Sequence, residues 1–271
     1  MAKGVIDPVG AARRIRMNVY PPSLPLQSFV EYYWVVEWDL RGGSPEMQRV
    51  LPYPNAHLVF DAGRTALHGV MHGVFERELV DTGRVFGVRF MAGGLRPFIS
   101  QPLESFTDAT LAPDAMLHMS AAMAEQRVLR WDNDQDMVAA TEAMLLPLLP
   151  EPDERALLAA RAVGAAAAIH GPVCVADLCR RIDLTERALQ RLFSEYVGVS
   201  PKWVIQRFRL QQAAWELAKP GSVDLSELAV RLGFYDQAHL SRHFKLLLGT
   251  SPLAYWKSQR PSAAGIPMAH G

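Results

Sequence analysis

Arginine and glutamine are well suited to reading the edges of base pairs. Arginine offers a planar fork that pairs bidentately with guanine, and glutamine offers a donor and an acceptor that match adenine. In this chain they recur in two short clusters. One holds Arg187, Gln190 and Arg191, with Ser194 beside them; the other holds Gln237, Ala238, His239, Arg242 and Lys245. Steps of three and four place each set on one face of a helix. The opposite faces are apolar: Ala188, Leu189, Leu192, Phe193 and Tyr196 in the first, Leu240, Phe244 and Leu247 in the second. A helix of this kind fits the major groove, and its exposed N-terminal part reaches the bases. The chemistry this predicts is recognition of DNA. In a single copy the same pattern would describe an ordinary solvated helix.

The duplication decides between those readings. Leu189, Arg191, Phe193, Gly198, Ser200 and Pro201 recur as Leu240, Arg242, Phe244, Gly249, Ser251 and Pro252, at an offset of 51. Upstream, Leu178-Cys-Arg-Arg-Ile182 matches Leu228-Ala-Val-Arg-Leu232 at an offset of 50. The extra residue falls in the stretch joining the two blocks, where a turn between helices absorbs it. Each copy therefore predicts helix, tight turn, helix. Gly233 ends the first helix of the second copy, because glycine takes the left-handed cap without penalty. Asp236 and Thr185 are placed to cap the two outward-facing helices.

Between the copies, Ser200 caps a third helix, Pro201 takes its first position and Pro220-Gly221 ends it. Its length of about 27 Å compares with the ~34 Å between successive major-groove faces. Arg207 and Arg209 on this helix could touch phosphate or make ion pairs inside the module. The net charge of zero hides an asymmetry. Residues 170–260 hold 13 Lys+Arg against 8 Asp+Glu, a net of +5; the rest holds 15 against 20, a net of −5. A basic segment beside an acidic remainder fits a nucleic-acid-facing domain.

Other chemistries find less support. No Gly-x-Ser-x-Gly, His-Glu-x-x-His or phosphate-binding glycine loop is present. His57, His68 and His72 are the candidate metal ligands. In a strand, His68 and His72 would lie ~13 Å apart, so neither a metal nor another cofactor is expected. Cys174 and Cys179 cannot form a disulfide framework, and Cys179 takes the place of Ala229 in the repeat, as a small core residue does. No run approaches the ~20 apolar residues of a membrane span, and the opening residues lack a secretory signal. The default expectation is a cytoplasmic protein.

Residues from about Val19 to Pro113 are rich in Gly, Pro, aromatics and β-branched types. Tyr32–Trp38, Ala56–Phe60, Leu67–Val74 and Arg84–Met91 read as strands of a small barrel or sandwich. Trp34, Trp38, Phe60, Phe86 and Arg89 could line a pocket for an acidic ligand, or the aromatics could be core. From Ala115 the pattern turns helical. Its Met and Leu stripe could pair with a second chain, making a homodimer, or pack on its own barrel. Pro147, Pro150 and Pro152 predict a hinge near Leu149–Asp153. The expected organisation is a β-rich domain over 1–114, a helical linker over 115–153, a DNA-binding domain over 154–260 and a flexible tail over 261–271.

The C-terminal pattern, Leu228-Ala…Gly233-Phe234-x-Asp236-Gln237-x-x-Leu240-x-Arg242-x-Phe244-Lys245…Gly249-x-Ser251-Pro252-x-x-Tyr255, resembles the AraC/XylS family of bacterial transcription regulators. The resemblance implies two readers entering adjacent major grooves, the first using Arg187, Gln190 and Arg191, the second Gln237, Ala238, His239 and Arg242. One departure stands out: Ile182-Asp183-Leu184 occupies a turn where the family usually has Gly or a small polar residue. Tyr33-Trp34, Arg49-Val-Leu-Pro52, His57-Leu-Val-Phe60 and Gly87-Val-Arg-Phe90 resemble the sensor domain of one branch of that family. The fold class expected is therefore α+β, a cupin-like β-barrel with flanking helices followed by an all-α double helix-turn-helix domain. The function implied is a promoter-binding regulator under a small-molecule effector, touching RNA polymerase if it activates. The alternatives are a catalytic cupin-like domain fused to a DNA binder, and a DNA binder that needs no ligand.

Overall fold

A computed structural model describes residues 14–168, 171 and 173–259. The expected tail over 261–271 and the first 13 residues of the β-rich domain lie outside the described residues. The chain falls into two compact units. One takes the described residues up to Ala168 together with Cys174–Ile205; the other takes Gln206 onward with Gly171 and Val173. Among the described residues no helix is long and apolar enough to cross a membrane.

Among the described residues the first unit begins with eight strands: β1 (Ile15–Tyr20), β2 (Val30–Asp39), β3 (Glu46–Val50), β4 (His57–Phe60), β5 (Ala66–His68), β6 (Phe75–Leu79), β7 (Thr82–Phe90) and β8 (Thr110–Leu111). Six of them form one antiparallel sheet in the order β1-β2-β7-β4-β5-β8, while β3 and β6 pair separately. The hydrogen bonding leaves β1 and β8 as sheet edges, so the expected barrel is an open sheet with a separate two-stranded sheet. The expected strand Leu67–Val74 stops at His68, because the residues after it turn away.

Side chains alternate across the sheet, as strand geometry requires. Tyr33 and Val35 of β2, Leu58 and Phe60 of β4, and Phe86, Val88 and Phe90 of β7 share one buried core. Three helices follow the sheet: α1 (Asp114–Leu117), α2 (Ala121–Leu129) and α3 (Asp134–Leu145). They bring Met116, Ala124, Val128, Met137, Met144 and Leu145 onto that core. Most of the Met and Leu stripe thus packs on its own sheet, although Met123 remains half exposed. Polar latches hold α3 in place. Asp134 accepts from the Tyr20 hydroxyl at 2.7 Å and from Asn18 Nδ2 at 2.9 Å. Glu142 accepts from the Ser23 amide at 2.8 Å and the Tyr33 hydroxyl at 3.2 Å.

The other face of the sheet is built around glycines. A Cβ on Gly87 would lie 2.1 Å from the Trp34 indole, and one on Gly83 2.1 Å from that of Trp38. Both indoles are seated in the space the missing side chains leave. Trp38 also receives the Arg77 guanidinium over its ring at 5.0 Å. Arg77 is in turn paired with Asp61 at 2.5 Å, which ties β6 over this face.

Past the prolines, Asp153 caps α4 (Glu154–Ala167) by accepting from the amides of Arg155 and Ala156. Its small-residue face, Ala156, Ala159, Ala162 and Ala166, is buried. The remaining helices are α5 (Val175–Ile182), α6 (Glu186–Tyr196), α7 (Pro201–Ala218), α8 (Leu225–Arg231), α9 (Gln237–Leu248) and α10 (Pro252–Ser258). They are the duplicated helix pairs, the helix between them and a closing helix.

Candidate nucleic-acid interface

In the first unit, α5 and α6 meet at a left-handed residue. Asp183, at φ +55°, occupies the position that Gly233, at φ +78°, holds in the second copy. An L-residue there is strained, and aspartate is among the few that tolerate it. Replacing Asp183 with glycine is expected to stabilise the first unit by about 0.5–1 kcal/mol, read as a shift in its denaturant midpoint; no gain would mean the carboxylate already offsets the strain. Thr185 caps α6, accepting from the Ala188 amide at 3.2 Å. Leu189, Leu192, Phe193 and Tyr196 are buried, and Arg187, Gln190 and Arg191 are exposed together on the opposite face.

The far end of α6 is pinned to the sheet domain. Glu195 pairs with Arg96 at 2.6 Å, the Tyr196 hydroxyl donates to Asp153 at 2.8 Å, and Thr107 Oγ1 donates to the Gly198 carbonyl at 2.5 Å. The exposed N-terminal part of α6 therefore projects from a fixed base. Cys179 lies buried beneath it on α5, and burial first of all pushes its thiol pKa up. A protonated, buried thiol is a packing residue.

In the second unit, Gly233 ends the turn after α8 and Phe234 packs inward. Asp236 caps α9 by accepting from the His239 amide at 2.7 Å. Leu240, Phe244, Leu247 and Leu248 form the buried side of α9, and Gln237, Ala238, Arg242 and Lys245 lie on its exposed surface. His239 does not belong with them. It is half-buried, its Nδ1 accepts the Tyr235 amide at 3.2 Å, and its ring meets Phe234 and His243 edge-on with centroids 5.5 and 4.7 Å away. His243 in turn bonds Gln206 on α7 at 2.6 Å. The histidine expected to read bases instead supports the turn before the reader.

Arg207 and Arg209 are also corrected. Arg207 is 1% exposed. Arg209 donates to the carbonyls of Gly233 and Val173. Arg207 is therefore an interior residue, and the half-buried Arg209 is engaged by backbone carbonyls of its own unit. Two residues were missed: Tyr235, 88% exposed just before the cap, and Ser226, whose hydroxyl meets Gln237. Tyr235 lies in the turn and Ser226 on the first turn of α8, and only the fold brings them beside the start of α9.

The candidate ligand residues do not converge. Phe60 and Phe86 are part of the helix-covered core, whereas Trp34 and Trp38 lie on the other face of the sheet. Arg89 is buried and already satisfied: it bonds Glu31 at 2.7 Å and Asn55 at 2.9 Å, with the Tyr32 and Tyr53 rings 5.2 and 4.5 Å from its guanidinium carbon. The aromatics are split because the strand register sets Phe86 of β7 opposite Val35 of β2, and Phe60 of β4 opposite Phe86, while Trp34 and Trp38 stand on the other face of β2. His57 and His68 face each other across β4 and β5, while His72 pairs with Asp108 at 2.6 Å. Among the described residues no group of three or more His, Cys, Asp or Glu could hold a metal. Trp34 Nε1 donates to His57 Nδ1 at 3.3 Å. Burial, with the nearby Arg89 charge, pushes the His57 pKa down to about 3.

The geometry defines a class first: two helix-turn-helix pairs, each presenting a capped helix with a polar outer face. Residues 178–258 match a family model described as a helix-turn-helix domain, and residues 18–112 match a domain of unknown function, DUF6597. The C-terminal part of the chain is a helix-turn-helix domain. Over 92 residues it is 37% identical to an uncharacterized HTH-type transcriptional regulator, YidL of Escherichia coli (strain K12), covering 33% of this chain and 31% of that protein. Over 94 residues it is 30% identical to the HTH-type transcriptional activator RhaR of Cronobacter sakazakii, covering 35% and 32%. The matches thus span about a third of the length of these relatives. A solved structure of ToxT from Vibrio cholerae aligns over 90% of this chain and 98% of its own, at 14% identity and a TM-score of 0.37.

Proposed function

We propose that this chain is a sequence-specific DNA-binding transcription regulator whose β-rich domain senses a small-molecule effector. The observation that carries the reading is the pair of duplicated scaffolds, each exposing arginine and glutamine on the outer face of its second helix. Arg187, Gln190 and Arg191 read one block of bases; Gln237, Ala238 and Arg242 read the other, with Lys245 on the backbone. The names carried by the two matched relatives support regulation of transcription, and with it a regulator in place of an enzyme. Control of the promoter then involves RNA polymerase if the protein activates, and Met123, Trp131 and Leu146 are exposed apolar residues of the helical zone available to a second copy.

Selection of bound duplexes from a random pool, with the full chain, tests this reading. Two short base blocks should emerge, and affinity should fall steeply with salt. Absence of any salt-sensitive complex would overturn it. Replacing Arg242 with alanine should cost about 1–3 kcal/mol on the selected site and relax base preference at one position. An equal loss on every sequence would reassign Arg242 to a phosphate.

A second reading has its own support. Trp34 and Trp38 occupy the space over Gly87 and Gly83, and Arg89 is fully engaged. A domain filled by its own side chains suits a DNA binder that needs no ligand. Thermal denaturation against a panel of small carboxylic acids separates the two, since a bound effector raises the midpoint.

A further inference from the structure

The reading face of α9 opens with a side chain that already has a hydrogen-bond partner within the protein. Gln237 is the first residue of α9, and Ser226 is the second residue of α8. Across the turn that joins these helices, Ser226 Oγ donates to Gln237 Oε1 at 3.1 Å. The serine does not stand on a free loop. Its amide donates at 2.7 Å to Asp224, the cap of α8, and Asp224 also accepts from the Glu227 amide at 3.1 Å. The donor to Gln237 is thus set on the first turn of a capped helix.

That bond has a consequence for base choice. A glutamine amide reads adenine by using both ends: its NH2 donates to N7 and its oxygen accepts from the N6 amino group. With the oxygen turned to Ser226, the amide presents its two N–H donors outward. Guanine offers two acceptors, N7 and O6, in the major groove; adenine sets its own N6 donors against them. We propose that Ser226 is a positioning residue that holds the Gln237 amide donor-outward, so that α9 selects guanine over adenine at the base pair Gln237 meets. This rests on the DNA-reading role argued above and specifies it.

The test uses the full chain and the duplex recovered by selection. Gln237→Ala locates the position where base preference is lost. Four duplexes that differ only there are then titrated with the wild type, Ser226→Ala and Ser226→Thr. The wild type should prefer guanine over adenine by about tenfold, the discrimination expected from one mismatched donor pair. Ser226→Ala frees the amide to turn and should bring that ratio close to one, leaving the preference at the Arg242 position unchanged. Ser226→Thr keeps the hydroxyl and should keep the ratio. A purely structural role would weaken all four duplexes equally and leave the ratio intact, which would overturn the proposal. So would a wild type that prefers adenine. A selective wild-type complex with an unmoved Ser226→Ala profile removes only the role of Ser226; no selective complex at all removes the DNA-reading role together with it.

Discussion

Replacing Phe244 with alanine is expected to lower the stability of the second unit by about 3–5 kcal/mol, the range for emptying a buried phenylalanine site. Phe244 has no exposed surface, and its ring meets Tyr255 of α10 edge-on at 5.6 Å. On α9 it lies directly behind Arg242 and Lys245, so its loss removes the support of the reading face. Denaturation followed by calorimetry should show the loss in the transition of the second unit, with the sheet core around Phe86 unaffected. The duplex complex should weaken in parallel, because the reader then pays its folding cost on binding. Phe193, the repeat partner of Phe244, is equally buried. Alanine there should instead destabilise the unit that contains the sheet. A loss below about 1 kcal/mol at Phe244 would mean the site collapses without leaving a cavity.

The second large effect is a fall in stability as pH drops. His57 is held neutral in the folded chain, where its pKa lies near 3, while the unfolded chain binds a proton near pH 6.5. Between these values the unfolded state carries the extra proton. Stability is therefore fully present above about pH 6.5 and declines as pH falls toward 3. The decline contributed by this one group approaches about 1.4 kcal/mol per pH unit inside that window. His68 adds to it in the same direction, since burial depresses its pKa too. Urea denaturation at a series of pH values, for the wild type and His57→Asn, isolates the term. The variant keeps an acceptor for the Trp34 N–H but cannot take up a proton, so its curve should be flatter. Parallel curves would show that His57 is protonated equally in both states.

Much of the interface was legible in the sequence because the signals are local. Caps operate over three residues, and Thr185, Asp236, Ser200 and Ser251 all accept the amide three positions on. The 3.6-residue period separated the buried Leu189, Phe193, Leu240 and Phe244 from the exposed Arg187, Arg191 and Arg242. Asp183 was visible in a turn that departs from the pattern of the family the sequence resembles, and the left-handed backbone there is its physical counterpart.

What the chain order alone could not carry were the roles that depend on distant partners. Arg209 and Arg242 look alike as isolated cations, yet Arg209 is turned inward by the carbonyls of Gly233 and Val173. His239 left the reading face because Phe234, His243 and the Tyr235 amide surround it. In the sheet, β2 pairs with β7 across some fifty residues, and that register puts Gly87 opposite Trp34 and Gly83 opposite Trp38. Composition can nominate aromatics for a pocket, but only the pairing of strands assigns each to a face. Helix faces follow from bonds between near neighbours, which the sequence itself specifies. The fate of a buried charge, or of an indole over a glycine, is settled by groups that only folding brings within reach.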